Sequence, residues 1–126
     1  MTDPKMLPPS LRSQKRYIAF EVISEQPIKY EDLTNAILGS AIGFLGEIGT
    51  SQAKIWIIQN LYDGQAQHGV IKCSTDSVEN MRAVLSLISF VGETKTVVRV
   101  TGVTGTIKSA KTKYLTKGLQ KFAQDQ

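Results

Sequence analysis

Few residues in this sequence are of a type that does chemistry at neutral pH. There is one histidine, His68, and one cysteine, Cys73, which excludes a histidine cluster, a Cys–His zinc finger and a disulfide within the chain. The sequence lacks the G-x-S-x-G, H-E-x-x-H and G-x-x-x-x-G-K-[ST] signatures, and its acids show no spacing typical of a metal site. We therefore expect no catalytic residue, no metal site and no cofactor bound by the protein.

The sequence around these two residues favours structural roles for both. His68 begins a predicted strand beside a turn, where a lone histidine is typically half-exposed. Cys73 lies in an apolar strand, where a free cysteine behaves as a small hydrophobic residue. A catalytic base or nucleophile at either position is the less favoured alternative.

Positive charge is concentrated at the two ends of the chain. Residues 1–16 have four bases against one acid (+3), residues 95–126 have seven against one (+6), and residues 17–94 have four against nine (−5), for a net charge of +4. Cationic ends favour a polyanionic partner, because each lysine or arginine that meets a phosphate releases counterions. Lysine-rich ends that only keep the protein soluble are an equal alternative.

The elements that would position these residues follow from the spacing of apolar residues. Segments rich in β-branched and aromatic residues predict four strands, at 16–24, 53–61, 68–74 and 94–103. Helical spacing predicts helices over 30–46, over 78–91 with Gly92 ending the helix, and from about residue 107.

This order of elements predicts an α+β fold. It is typical of a ferredoxin-like or RRM-like βαββαβ sandwich, with a four-stranded antiparallel sheet, two helices on one face and an added C-terminal helix. Right-handed crossovers would place the first and third strands at the centre. Alternation predicts that Ile18, Phe20 and Val22 meet the helices, and that Val100 and Val103 lie on opposite faces of the last strand.

The chain is predicted to be one domain preceded by a short arm. Three prolines make residues 1–14 an irregular basic arm, and residues 15–126 suit a single core. No apolar run approaches the ~20 residues that span a bilayer, so we expect no membrane partner. The first 16 residues lack the apolar stretch of a signal peptide, so a cytoplasmic location is expected.

Two glycines in the first predicted helix suggest an interface. Gly39 and Gly43 are four residues apart on one helix face, and each costs up to about 1 kcal/mol relative to alanine. We predict that they allow close approach of a strand or another chain and that, with Phe44, they form a protein-partner interface. A loosely specified helix end is the alternative.

Base stacking of the ordinary RRM kind is not expected. The third strand reads HGVIKC, which has none of the aromatics of the RRM motif, and Tyr17 is the only aromatic on the exposed face of the first strand. Phosphate-directed binding by the basic ends remains open, and that mode responds to RNA shape rather than sequence.

Three segments resemble a known family. Residues 7–21 (LPPSLRSQKRYIAFE), 45–49 (LGEIG) before the strand with Trp56, and 102–108 (GVTGTIK) resemble archaeal ribonuclease P protein component 2, a family with eukaryotic relatives in ribonuclease P and ribonuclease MRP. The resemblance covers about residues 6–115. The family often has serine where this chain has Thr104, and arginine where it has Lys72. Lysine keeps the charge but loses the bidentate fork of arginine.

The resemblance implies a subunit of ribonuclease P, the ribonucleoprotein endonuclease that removes 5′ leaders from precursor tRNA in tRNA processing. In that family the RNA carries the catalytic Mg²⁺, and the protein supports the RNA without being catalytic itself. It also implies a TIM-barrel-like partner, protein component 3. Two such pairs can join through component 2, so a homodimer at the centre of a heterotetramer is expected.

The resemblance and the charge pattern together predict an electrostatic mechanism, in which cations neutralise crowded phosphates and lower the Mg²⁺ that the RNA needs. The predicted RNA-binding residues are Arg12, Lys15, Arg16, Tyr17, Lys72, Lys108, Lys111 and Lys113.

Two other functions suit the same predicted topology. An acylphosphatase-like enzyme needs an arginine-bearing phosphate loop after the first strand, where this chain has residues 24–27, SEQP. An ACT-like module that senses a small molecule is the other alternative, but it has no need of the C-terminal lysines.

Overall fold

A computed structural model describes residues 15–115, which form a five-stranded antiparallel sheet with helices packed on it. The strands are β1 (Lys15–Ser24), β2 (Trp56–Ile57), β3 (His68–Ser74), β4 (Phe90–Val91) and β5 (Thr94–Thr104). The helices are α1 (Tyr30–Ala53), α2 (Val78–Ser86) and α3 (Ile107–Ala110), the last continued by a π-helical turn, Lys111–Leu115. The predicted arm over 1–14 and the C-terminal residues 116–126 lie outside the described residues.

The sheet has the order β2-β3-β1-β5-β4. The α+β class is confirmed, as is the central position of β1 and β3 among the four predicted strands. The count of four strands is wrong, because Phe90 and Val91 pair with Lys95 and Thr94 as an added edge strand. These residues were predicted to end the second helix, but α2 stops at Ser86.

The hairpin between β4 and β5 explains this difference. Its two-residue turn is Gly92-Glu93, and Gly92 has a φ of +61°. Glycine at the first central position allows this left-handed conformation and gives a turn whose twist suits a hairpin. Gly92 therefore reverses the chain into the sheet rather than ending a helix.

The first helix continues beyond its predicted end. α1 is interrupted at Gly46 (φ 75°, ψ 175°) but resumes as far as Ala53, which is fully buried. Lys54 then adopts the left-handed conformation, and its N–H donates to the Ser51 carbonyl. The predicted strand over 53–61 is therefore reduced to the two residues of β2. None of the described helices is both long enough and apolar enough to cross a membrane.

The core lies between the sheet and the helices α1 and α2. Ile18, Phe20 and Val22 are buried there, which confirms the predicted alternation of β1. The other principal core residues come from α1 and α2, namely Leu33, Ile37, Ala41, Met81, Val84 and Leu85.

A β-bulge corrects the predicted faces of β5. The register between β1 and β5 shifts between Ala19 and Phe20, which leaves Thr101 without a partner. An extra residue reverses the alternation beyond it. Val103 therefore joins Val100 against the core, where simple alternation had placed the two on opposite faces.

Candidate nucleic-acid interface

The face of the sheet opposite α1 and α2, here called the outer face, carries most of the described residues predicted to bind RNA. Tyr17 on β1 pairs with Lys72 on β3, and Lys72 pairs with Trp56 on β2. Directly opposed residues of antiparallel strands share a face. The three side chains therefore form one line across the sheet, which we call the Tyr17–Lys72–Trp56 row.

Lys15 belongs to the same surface. It is two residues from Tyr17 along β1, so alternation puts its side chain on the outer face, and it is exposed. Arg16, in contrast, lies opposite the buried Cys73, which turns its side chain toward the helical face. Its Nη1 donates to the Lys15 carbonyl at 2.9 Å. The predicted Arg12 contact lies outside the described residues.

Trp56 also lies on this surface, although it is not among the residues predicted to bind RNA. Its residue surface is 62% exposed, and Lys72 Nζ lies 6.0 Å from the centroid of its ring. This distance is at the outer limit of a cation–π contact. In the sequence, Trp56 and Ile57 are neighbours in a predicted strand, so alternation turns one of them outward. The strand pattern did not show which of the two it is.

The short helix α3 turns back onto the outer face. Ala110 on α3 and Ala19 on β1 are both buried, and neither belongs to the core beneath α1 and α2. α3 contacts both β1 and β5, and Thr106 caps it by accepting a hydrogen bond from the Ser109 N–H at 3.1 Å. Small side chains on both elements allow this close packing.

The predicted lysines of the C-terminal segment lie on this added layer. Lys108, Lys111 and Lys113 are all exposed. Because α3 contacts β1 and its buried Ala110 lies outside the core beneath α1 and α2, we place these lysines on the same side of the sheet as Lys15 and Lys72. The fold thus brings together cations that are more than 90 residues apart in sequence.

Negative charge on the described strands of the outer face is limited to Glu21. Its carboxylate Oε1 is 2.6 Å from Arg99 Nη2, which offsets its charge. Glu21 pairs with His68 rather than with Lys72, so it lies two rows from Trp56. The end of the outer face that holds Lys15 and Lys72 is therefore cationic.

The predicted partner interface lies on α1. Gly39 and Gly43 are exposed, and a Cβ added to either would have no neighbour within 4 Å among the described residues. The predicted approach of a strand to these glycines is therefore not seen, and approach by another chain stays a prediction. Phe44 is 50% exposed and Ile48 is 76% exposed on the same helix.

His68 and Cys73 have the surroundings expected of structural residues. Cys73 is fully buried, and burial raises the pKa of its thiol to about 11. His68 is partly buried at the start of β3, and its Nδ1 has no hydrogen-bond partner among the described residues. Across residues 15–115, no three His, Cys, Asp or Glu side chains are grouped to hold a metal ion.

We expect Cys73 to resist alkylation in the folded protein. The raised pKa leaves about a hundredfold less thiolate at neutral pH than the ordinary thiol has, and burial blocks access. Mass spectrometry after timed iodoacetamide treatment checks this, with a urea-unfolded sample as the reaction control. Equal alkylation rates in the folded and unfolded samples would contradict the burial of this thiol.

Comparison with known proteins gives a consistent result. Residues 16–115 match the model of the Rpp14/Pop5 family. The chain is 42% identical over 114 residues to ribonuclease P protein component 2 of Pyrococcus furiosus, an alignment that covers 90% of this chain and 93% of that protein. The protein of the same name from Methanocaldococcus jannaschii is 37% identical over 111 residues, which covers 88% and 80% of the two chains.

A solved structure shows the same fold at much lower identity. A chain in the cryo-EM structure of yeast ribonuclease MRP aligns with a TM-score of 0.60 and 10% identity, and the alignment covers 90% of this chain and 94% of that one. At this identity the similarity concerns the fold alone.

Proposed function

The chain belongs to the Rpp14/Pop5 family. We propose that it is the subunit of ribonuclease P that stabilises the catalytic RNA during removal of 5′ leaders from precursor tRNA. The observation that carries the proposal is the near full-length similarity to ribonuclease P protein component 2. The cationic outer face supports it, because it offers a surface suited to RNA phosphates. The cytoplasmic location expected from the sequence stays a prediction.

The proposed mechanism is electrostatic. Lys15, Lys72 and the exposed lysines of α3 and its continuation would approach phosphates that the folded RNA forces together. Each contact replaces condensed counterions and reduces repulsion between phosphates. The RNA would then hold its active fold, with its catalytic Mg²⁺, at a lower Mg²⁺ concentration.

We expect no catalytic group from this chain. The Cys73 thiol is buried with a raised pKa. Among the described residues, His68 forms no ion pair and belongs to no group of three potential metal ligands. The acylphosphatase-like alternative is not favoured, since the segment after β1 contains Glu25 where an anion-binding loop needs an arginine. The ACT-like alternative finds no support among the relatives.

Protein partners are proposed to dock on the exposed side of α1. Phe44 and Ile48 expose apolar area on this helix, and Gly39 and Gly43, at other positions around it, leave room for close approach. Protein component 3 is the partner proposed for this surface. Pairing of two copies of the chain would then join two such complexes into a heterotetramer.

Reconstitution tests the proposed function. Cleavage of precursor tRNA is measured across a Mg²⁺ series, using the catalytic RNA with and without this chain and its protein partners. We expect the chain to lower the Mg²⁺ concentration for half-maximal cleavage, and the nucleic-acid-free chain to cleave nothing. Unchanged Mg²⁺ dependence, or cleavage by the chain alone, would contradict the proposal.

A further inference from the structure

We propose that the Tyr17–Lys72–Trp56 row binds one unpaired nucleotide of RNA, with the base stacked on the Trp56 indole and the adjacent phosphate held by Lys72. This inference rests on the proposed function and deepens it. It adds a base-contacting site to the cationic surface that is proposed to meet RNA phosphates.

The first observation is the exposure of the indole. Tryptophan is highly buried on average in folded proteins, yet Trp56 is 62% exposed while its neighbour Ile57 is 4% exposed. β2 is an edge strand that pairs only with β3 in the described sheet. The ring is thus held at a fixed place by the Trp56–Lys72 pairing, and a flat ligand can reach it from outside the sheet.

The second observation is the cation beside the ring. Lys72 lies between two aromatic residues in the row, and its Nζ is 6.0 Å from the Trp56 ring centroid. Lys72 has no ion pair within the described residues. Its flexible stem allows Nζ to move from the ring to a phosphate. A base can then occupy the indole face.

The charges around the row favour RNA over a protein as the occupant. Lys15 lies beside the row on the same face, and Glu21, the nearest acid on the described outer-face strands, is already paired with Arg99. A protein partner would have to bury Lys72 and supply an acid for it. A nucleotide supplies both a stacking face and a negative charge.

The exposed apolar groups suited to a protein partner lie elsewhere on the described chain. At the opposite end of the outer face, Ile23 pairs with Val97, and Phe90 lies across from Lys95. Ile23, Val97 and Phe90 are each more than half exposed. Phe90 therefore offers a matched control: it is an exposed outer-face aromatic on an edge strand and also lies opposite a lysine, but Lys95 has no aromatic partner on its other side.

The single tryptophan of the sequence allows a direct test. The full chain, freed of nucleic acid, is titrated with a short unstructured RNA and with a duplex of the same sequence. We expect the single strand to quench Trp56 fluorescence and to shield the ring from acrylamide, and the duplex to do so only at much higher concentration.

Variants separate stacking from charge. Trp56→Leu should weaken binding of the single strand roughly tenfold, Trp56→Phe should retain most of it, and Phe90→Leu should leave it unchanged. Trp56→Leu should not alter the slope of log affinity against log salt, whereas Lys72→Gln should lower its magnitude by about 0.7. Thermal unfolding of each variant verifies that the fold is intact.

Two results would overturn the stacking site while leaving the proposed function in place. In the first, the Trp56→Leu variant binds the single strand as tightly as the wild-type chain does, and cleavage reconstituted with the variant has the same Mg²⁺ dependence as cleavage reconstituted with the wild type. In the second, the Trp56→Leu variant loses binding to protein component 3 but keeps its affinity for RNA, which would make the row a protein-docking site. Failure of the wild-type chain to bind RNA, alone or in the reconstituted particle, would overturn both proposals.

Discussion

Simultaneous replacement of Lys15, Lys108 and Lys113 by glutamine should raise the Mg²⁺ concentration that reconstituted ribonuclease P needs for half-maximal cleavage. The three side chains are exposed and lie on one side of the sheet. Loss of three phosphate contacts should lower the magnitude of the slope of log affinity against log salt by about 2 to 3. The measurements are RNA affinity across a salt series and cleavage across a Mg²⁺ series.

A charge-matched variant provides the control. Lys29, Arg82 and Lys95 are also exposed, but they lie outside the predicted RNA-binding set. Lys95 is on the outer face, at the opposite end from Lys15 and Lys72. Their joint replacement with glutamine removes the same net charge, so a general effect of protein charge would appear in both triple variants. Equal shifts in the two variants would show that the proposed surface has no special role, and no shift in either would refute the electrostatic mechanism.

Replacing Phe20 with alanine should destabilise the folded protein by about 3–5 kcal/mol. Phe20 is 1% exposed on the central strand, between the sheet and the two core helices. A loss of this size is a large part of the 5–15 kcal/mol by which domains are usually stable. The free energy of unfolding, measured by urea titration, checks it.

Ile23 on the same strand is the control for Phe20. Its residue surface is 53% exposed on the outer face, so Ile23→Ala should cost less than about 1 kcal/mol. A comparable loss in the two variants would contradict the placement of the core on one face of β1.

The neighbour of Phe20 on β3 extends this test. A Cβ added to Gly69 would lie 2.7 Å from Phe20 Cζ and 3.1 Å from Tyr62 Cδ1. Gly69→Ala should therefore destabilise the wild-type protein by about 1–3 kcal/mol and cost less in the Phe20→Ala background, where the ring is gone. Additive effects in the double variant would show that the ring does not fill this space.

Local patterns in the sequence predicted the buried face of β1, whereas the central position of β1 and β3 was predicted from the order of the elements and the handedness of their crossovers. Ile18, Phe20 and Val22 alternate with smaller or polar residues, and only one face of the strand can then be continuously apolar. This preference depends on the strand itself, so no knowledge of distant residues was needed. The cationic ends were equally visible, because charge is a property of composition.

The extra strand shows where local pattern was insufficient. Ile88 and Val91 are buried and continue the apolar spacing of α2, so they fit a helix by period alone. The chain instead leaves the helix at Ser86 and pairs Phe90 and Val91 with β5. That pairing depends on the hairpin turn at Gly92 and on an available edge of β5, and neither follows from helical spacing.

The sequence by itself determined the α+β class, the buried face of β1, the basic character of the ends and the membership suggested by its motifs. Only the tertiary structure decided which cations and rings share a surface: Lys72 with Trp56 and Tyr17, and the lysines of α3 on the same side of the sheet. The reason is that strand register, the bulge at Thr101 and the return of α3 depend on contacts between distant residues. Hydrophobic periodicity carries no information about those contacts, since a shift of one residue in register moves every side chain to the other face.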